Sequence, residues 1–214
     1  MTEPGFVETL RRERASAIVR AAEQATASGA MDAAVRGGFR IVEFTLTTPG
    51  ALELIAEFSR RPGLVTGAGT VLTRQQARDA VRAGARYLVS PVVDPEVIAE
   101  GLSLGVAVMP GCQTPTEMLQ AHRVGAQVQK VFPAPAGGPG AIRAILGPMP
   151  FLRLVPTNGV DAENAAAYLA AGAWAVAFTA ALFLPEDLRP GRFDRIEARA
   201  RRLRQIVEGV DLPA

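Results

Sequence analysis

Gly84-Ala85-Arg86-Tyr87-Leu88-Val89-Ser90-Pro91 is the stretch on which the fold turns. A glycine just past a helical segment supplies a left-handed cap, and the apolar run that follows suits a buried strand. The same joint returns at Gly38-Phe39-Arg40-Ile41-Val42, Gly105-Val106-Ala107-Val108-Met109, Gly125-Ala126-Gln127-Val128 and Gly172-Ala173-Trp174-Ala175-Val176. Helix starts lie between these joints. Asp94-Pro95-Glu96, Thr114-Pro115-Thr116-Glu117 and Asp161-Ala162-Glu163-Asn164 each set a capping residue before an early acidic one, and Thr114 with Glu117 matches a capping box. Helix-to-strand and strand-to-helix joints therefore alternate along the chain.

The remaining apolar runs complete the series, giving strands near 17–20, 41–46, 64–68, 86–90, 106–110, 127–132, 152–156 and 174–178. Strands at intervals of roughly 20 to 25 residues, each followed by a helix-length segment, indicate a parallel sheet. Eight of them can close, so the expected architecture is a compact (β/α)8 TIM barrel, one domain over residues 1–214. An open doubly wound sheet is the alternative. The arginine-rich stretch at about 190–208 reads as a C-terminal helix. Its interleaved Asp194, Glu197 and Glu208 make it a solvated face packed on the barrel or at a subunit edge rather than a nucleic-acid patch.

Composition excludes several function classes. The chain has 214 residues, 49% hydrophobic and 21% charged, with a formal net charge of +2. One Cys and one His rule out a disulfide framework, a Cys-rich zinc site and a His cage. No apolar run reaches the roughly 18 residues of a membrane span, and Met1 to Arg14 is too polar for a secretory leader, so the expected location is the cytoplasm. Neither nucleic acid nor membrane is an expected partner. Of 23 Lys and Arg residues, only Lys130 is a lysine.

In a barrel of this kind the site lies where the strands end. Two ionisable residues fall inside apolar strands: Glu43 in Ile41-Val42-Glu43-Phe44-Thr45-Leu46 and Lys130 in Val128-Gln129-Lys130-Val131-Phe132-Pro133. Burial there drives an ammonium toward the free amine, which can attack a carbonyl carbon. Arginine cannot lose its proton, so a lone lysine in an otherwise all-arginine chain suggests a need for such an amine. The alternative turns Lys130 outward, snorkelling between helices. Glu43 is either a proton shuttle within reach of the amine or a structural carboxylate paired with Arg20 or Lys130. Strand alternation permits both to face inward, but the sequence leaves that register open.

These residues carry a resemblance. The segments Val42-Glu43-Phe44-Thr45-Leu46 with Thr48-Pro49, Gly67-Ala68-Gly69-Thr70-Val71, Val89-Ser90-Pro91, Pro110-Gly111 with Thr114-Pro115-Thr116-Glu117, Lys130-Val131-Phe132-Pro133-Ala134 and Pro156-Thr157 fall in the order found in the 2-keto-3-deoxy-6-phosphogluconate and 4-hydroxy-2-oxoglutarate aldolases, over about Ser16 to Leu182. The resemblance implies a class I aldolase of barrel fold, usually a homotrimer, needing no cofactor and no metal, and acting on a small 2-keto acid. It matches Lys130 to the family's Schiff-base lysine and Glu43 to its proton-transferring glutamate. Thr70 matches the pyruvyl-binding threonine, Pro91 the proline beside the reacting carbon, Phe132 the aromatic next to the lysine, and Thr157 a hydroxyl reaching the distal part of the substrate. The implied reaction splits a 2-keto-4-hydroxy acid into pyruvate and an aldehyde. Decarboxylation of oxaloacetate through the same imine, and an inactive metabolite-binding homologue, are the alternatives.

The sequence also departs from the family pattern. Many members carry an arginine where this chain has Thr47, and Arg20 is the candidate replacement for holding the carboxylate. The family's phosphate loops read Thr-Gly-Gly and Gly-x-Gly-Ser, where glycines let the backbone approach the anion. Here the first is Thr157-Asn158-Gly159, whose Asn158 and Gly159 suit a left-handed turn, and the second is Ala177-Phe178-Thr179-Ala180. The expectation is a distal pocket for something smaller, less charged or more apolar; the alternative keeps phosphate on Thr179 and nearby amides. Cys112 is expected as a buried filler and His122 as an exposed helix residue. Gly67-Ala68-Gly69 is too incomplete for a dinucleotide loop.

Overall fold

The computed structural model describes residues 5–189 and 192–211. Its elements run α1 (Phe6–Glu13), β1 (Ala15–Val19), α2 (Gln24–Arg36), β2 (Ile41–Thr45), α3 (Ala51–Phe58), β3 (Val65–Gly69), α4 (Arg74–Arg82), β4 (Tyr87–Ser90), α5 (Pro95–Ser103), β5 (Ala107–Cys112), α6 (Pro115–Arg123), β6 (Gln129–Val131), α7 (Gly138–Leu146), β7 (Leu154–Pro156), α8 (Ala165–Ala170), β8 (Val176–Phe178) and α9 (Phe193–Glu208). All eight expected strands form, and every pairing is parallel, in the order β7-β6-β5-β4-β3-β2-β1-β8. A parallel bridge from Thr157 to Ala177 and a 2.8 Å bond from the Trp174 N–H to the Leu154 carbonyl join β7 to β8, giving the barrel rather than the open sheet.

The five joint glycines, Gly38, Gly84, Gly105, Gly125 and Gly172, all have positive φ, between 77° and 107°. At Gly84 the requirement is double: φ is 106°, and a Cβ would stand 2.4 Å from the Ser59 hydroxyl. The Asp94 carboxylate accepts the N–H groups of Glu96 and Val97, and Thr114 with Glu117 forms the expected capping box. Asp161 caps a single turn through the N–H groups of Glu163 and Asn164, and the helix proper begins later, at Ala165.

Alternation along the strands divides the core. Val42, Phe44, Ala68, Leu88, Val108, Val131 and Val176 face the helices, whereas Ile18, Ile41, Tyr87, Val89, Met109 and Val155 fill the barrel interior. Helix α1, which no local pattern announces, seals the barrel floor. Phe6 stacks on Tyr87 with ring centroids 4.1 Å apart, and the Trp174 indole N–H donates to the Val7 carbonyl. A Cβ on Gly67 would sit 2.3 Å from the Tyr87 ring, so that glycine makes room for the floor rather than for a nucleotide.

Of the expected 190–208 helix, residues 190 and 191 lie outside the described residues, Arg192 is the N-cap, and α9 covers the remainder. It packs on α2 closely enough that a Cβ on Gly37 would meet Ala200 at 2.3 Å. Ion pairs tie it to other parts of the chain: Arg204 to Glu13 of α1, Arg199 to Asp187, and its Glu197 to Arg36 of α2. Among the described residues no helix is long and apolar enough to cross a membrane.

Candidate active site

The register left open by the sequence is fixed at β6 by Gln129. Its fully buried amide points away from the barrel axis, donating to the Ala126 carbonyl at 2.9 Å and accepting the Arg153 N–H at 3.1 Å. Strand alternation then turns Lys130 inward. Lys130 pairs with Gly111 of β5 and Val155 of β7, and Glu43 pairs with Ile18 of β1 and Gly67 of β3. Glu43 and Lys130 reach the same cavity, about 370 Å³, at the C-terminal mouth of the barrel.

Both ionisable groups are buried, Glu43 at 1% and Lys130 at 8% exposure. Burial pushes the Glu43 carboxyl up, with the charges of Lys130 and Arg20 opposing. Burial pulls the Lys130 ammonium down, opposed by Glu43 and helped by Arg20. Each shift favours the neutral form, so the environment holds an amine nucleophile and a proton-carrying acid in one pocket. Among the described residues Glu43 forms no ion pair, and its Oε2 has no hydrogen-bond partner. Space for the carboxyl comes from Gly69, where a Cβ would stand 2.0 Å from Glu43 Oε1.

Around these two, the cavity collects Arg20, Thr70, Pro91, Phe132 and Asn158 from the sequence-derived set. Arg20, directly after β1, reaches across the mouth to donate to Thr70 Oγ1 at 3.4 Å. Thr70 has φ 61°, an unusual left-handed conformation for a β-branched residue, locked by the Val71 N–H bond to Val89. Pro91 is set by a close backbone approach, because a Cβ on Gly111 would meet its carbonyl oxygen at 2.4 Å. Phe132 lies near the amine, with Nζ 5.1 Å from the ring centroid. Asn158 adopts the expected left-handed turn, φ 60°, followed by Gly159 at 105°.

Two expected residues stand apart. Thr157 is fully buried, and its hydroxyl donates to the Val155 carbonyl at 3.2 Å, so it lies beneath the cavity rather than in its lining. Gly159 shapes the turn without lining the cavity. Cys112 is buried against the helix layer, where burial pushes its thiol up to about 12; His122 is exposed on α6, beside Phe151.

Ile18, Thr45, Thr179, Ala180, Phe183, Pro185 and Leu188 complete the lining. Ile18 and Thr45 share strand parity with inward Glu43, a signal present in the sequence. Phe183, Pro185 and Leu188 come from the irregular segment after β8, which carries no periodicity to read.

A barrel with a buried amine and a buried acid at its mouth belongs to a class that known proteins delimit. The family described as KDPG and KHG aldolase matches residues 7–199. A 2-dehydro-3-deoxy-phosphogluconate aldolase of Treponema pallidum is 34% identical over 209 residues, covering 94% of this chain and 96% of that protein. The KHG/KDPG aldolase of Escherichia coli K12 is 35% identical over 190 residues, 84% of each chain. The KDPG aldolase of Legionella pneumophila, solved with pyruvate captured at low pH as a covalent carbinolamine, superposes with a TM-score of 0.83 at 28% identity, covering 94% of this chain and 98% of that one. Fold, cavity and relatives define an aldolase, a carbon–carbon lyase. The chain belongs to the KDPG and KHG aldolase family.

Proposed function

We propose that Lys130 is the imine-forming residue and Glu43 the proton carrier in reversible cleavage of a 2-keto-4-hydroxy acid to pyruvate and an aldehyde. The free Nζ attacks the C2 carbonyl, and Glu43 protonates the departing hydroxyl as the carbinolamine loses water. The resulting iminium is an electron sink. The Glu43 carboxylate then removes the C4 hydroxyl proton, the C3–C4 bond breaks, the aldehyde departs, and the bonding pair flows through C3 into the iminium to leave an enamine. Glu43 returns the proton to C3, and water adds back to release pyruvate and the free amine. One observation carries this reading: the only lysine and a buried glutamate share one cavity in which each is driven toward its neutral form.

The neighbours have supporting roles in the same proposal. Arg20 is the carboxylate-holding cation in place of the arginine absent at Thr47, and Thr70 and Pro91 frame the pyruvyl end. Phe132 covers the imine, while Asn158 and the turn through Gly159 face the aldehyde half, with Thr157 supporting them from below. Oxaloacetate decarboxylation would use the same imine but would leave Glu43 without a hydroxyl to deprotonate. A single-domain protein working in the cytoplasm as a homotrimer is part of this reading, supported by one eight-stranded sheet and by the family resemblance. Light scattering tests the assembly.

Borohydride reduction in the presence of pyruvate, followed by intact mass and peptide mapping, tests the chemistry. A reduced pyruvyl adduct on Lys130 is expected. Absence of adduct under conditions that trap a working class I aldolase would overturn the proposal in favour of a binding protein.

A further inference from the structure

We infer that the aldehyde half of the substrate is uncharged, carrying at most hydroxyl groups and carbon at its distal end, rather than a phosphate or a second carboxylate. The inference rests on the aldolase reading of the same cavity and adds to it the class of aldehyde. Strand order divides the mouth into two arcs. Glu43, Thr70 and Pro91 follow one another on β2 to β4, opposite Lys130 on β6, and frame the keto-acid end. The aldehyde half must then extend over the remaining arc, β6 to β8, where the lining is Phe132, Asn158, Thr179 and Ala180.

Beyond Ala180 that arc is walled by Phe183, Pro185 and Leu188. The cavity lining has one cation besides Lys130, namely Arg20, and Arg20 turns toward β3 to bond Thr70. The substrate's own carboxylate occupies it. A second anion would meet carbon and two neutral polar side chains, with no cationic side chain left in the lining to pair with it.

Two of the nearby backbone amides are already committed. The N–H groups of Leu182 and Phe183, at the start of the segment after β8, both turn back onto the Thr179 carbonyl, at 3.0 and 2.9 Å. Arg189, the next cation along, does not line the cavity; it lines the adjoining surface groove with Ala21, Ala22 and Glu23, on the far side of the Pro185 and Leu188 that the two share. The wall is also held in place: Arg199 of α9 donates to the Leu182 carbonyl at 2.7 Å and to the buried Asp187 carboxylate at 2.6 Å. Asn158 and Thr179 remain available to hydroxyl groups of a neutral aldehyde.

The test measures aldol addition of pyruvate to neutral aldehydes, glyceraldehyde and butanal, against glyceraldehyde 3-phosphate and glyoxylate. Borohydride trapping of pyruvate is run separately on the same protein. The expected result is kcat/KM at least tenfold higher for a neutral aldehyde, about 1.4 kcal/mol, with no inhibition by inorganic phosphate. Equal or better turnover of glyceraldehyde 3-phosphate or glyoxylate, or competition by phosphate, overturns the inference while successful trapping leaves the aldolase reading standing. Failure to trap overturns the aldolase reading itself. Leu188→Arg supplies a cation to the wall and should raise turnover of the phosphorylated aldehyde relative to the neutral one at least tenfold; an unchanged ratio would show that this wall does not face the aldehyde.

Discussion

Replacing Gly69 by alanine should disable the enzyme through Glu43 alone. The added Cβ would lie 2.0 Å from Glu43 Oε1, 2.9 Å from Cδ and 3.1 Å from Cγ. Ordinary carbon contacts need about 3.5 Å, so the carboxyl must retreat by more than about 1 Å. It is 1% exposed, so the retreat cannot be made into solvent. A displacement of about 1 Å from productive geometry can cost about a hundredfold in rate, and overpacking of this kind costs about 1–3 kcal/mol in stability. The backbone at Gly69 has no positive φ, so alanine itself is conformationally acceptable there. Steady-state release of pyruvate should therefore show kcat down about a hundredfold. Borohydride labelling of Lys130, which does not need the C4 proton transfer, should still reach completion but more slowly, because Glu43 also assists the dehydration that forms the imine. Glu43→Gln provides the control. If the glycine acts by making room for the carboxyl, adding Gly69→Ala to Glu43→Gln should lower kcat little further. An additive loss, or a single mutant with the kcat of the parent, would refute the reasoning.

Other perturbations follow from the same geometry. Lys130→Met should abolish turnover and trapping while stabilising the fold below the pKa of unfolded lysine, about 10.4. The buried amine's folded pKa is lowered, so between the two values the unfolded chain holds a proton that the folded one lacks. The parent's stability therefore rises with pH there, and the variant's advantage in urea melts should shrink over that window; a constant difference would contradict it. Arg199→Met leaves the Asp187 carboxylate, 1% exposed, with Arg195 at 3.6 Å as its one cation among the described residues, and should cost about 3 kcal/mol in denaturant unfolding while raising KM for the aldehyde as its wall loosens. Cys112, with its thiol pushed up to about 12, should resist alkylation at pH 8 until the protein unfolds; rapid labelling of the native state would contradict its burial.

The fold was legible because its joints are chemical. Five glycines that must turn left-handed and two helix starts with capping side chains, Asp94 and Thr114, needed no tertiary information. Helix α1 escaped because its role depends on Phe6 meeting Tyr87, some eighty residues away, and no local period reports such a contact. Strand edges drifted for the same reason: β1 is Ala15–Val19 rather than 17–20, because pairing with β8 begins at Ala15. The reacting pair was visible as two charges inside apolar runs, but their facing was decided by Gln129, whose buried amide looked like any polar strand residue. Thr157 shows the converse, a motif residue whose hydroxyl is taken by its own strand. The apolar wall from Phe183 to Leu188 lies in irregular chain held by Asp187 and Arg199, a partnership between a loop and a helix that sequence spacing does not encode.

The stacked rings of Phe6 and Tyr87 make the catalytic chamber a cul-de-sac. Traffic among the described residues uses the mouth, and with the proposed tether to the Lys130 nitrogen at the inner end, the keto-acid fragment would stay behind while its partner fragment exits. Such a tether orders release, aldehyde before pyruvate, and product-inhibition patterns should carry that asymmetry, with pyruvate alone competing against the intact substrate for the empty protein.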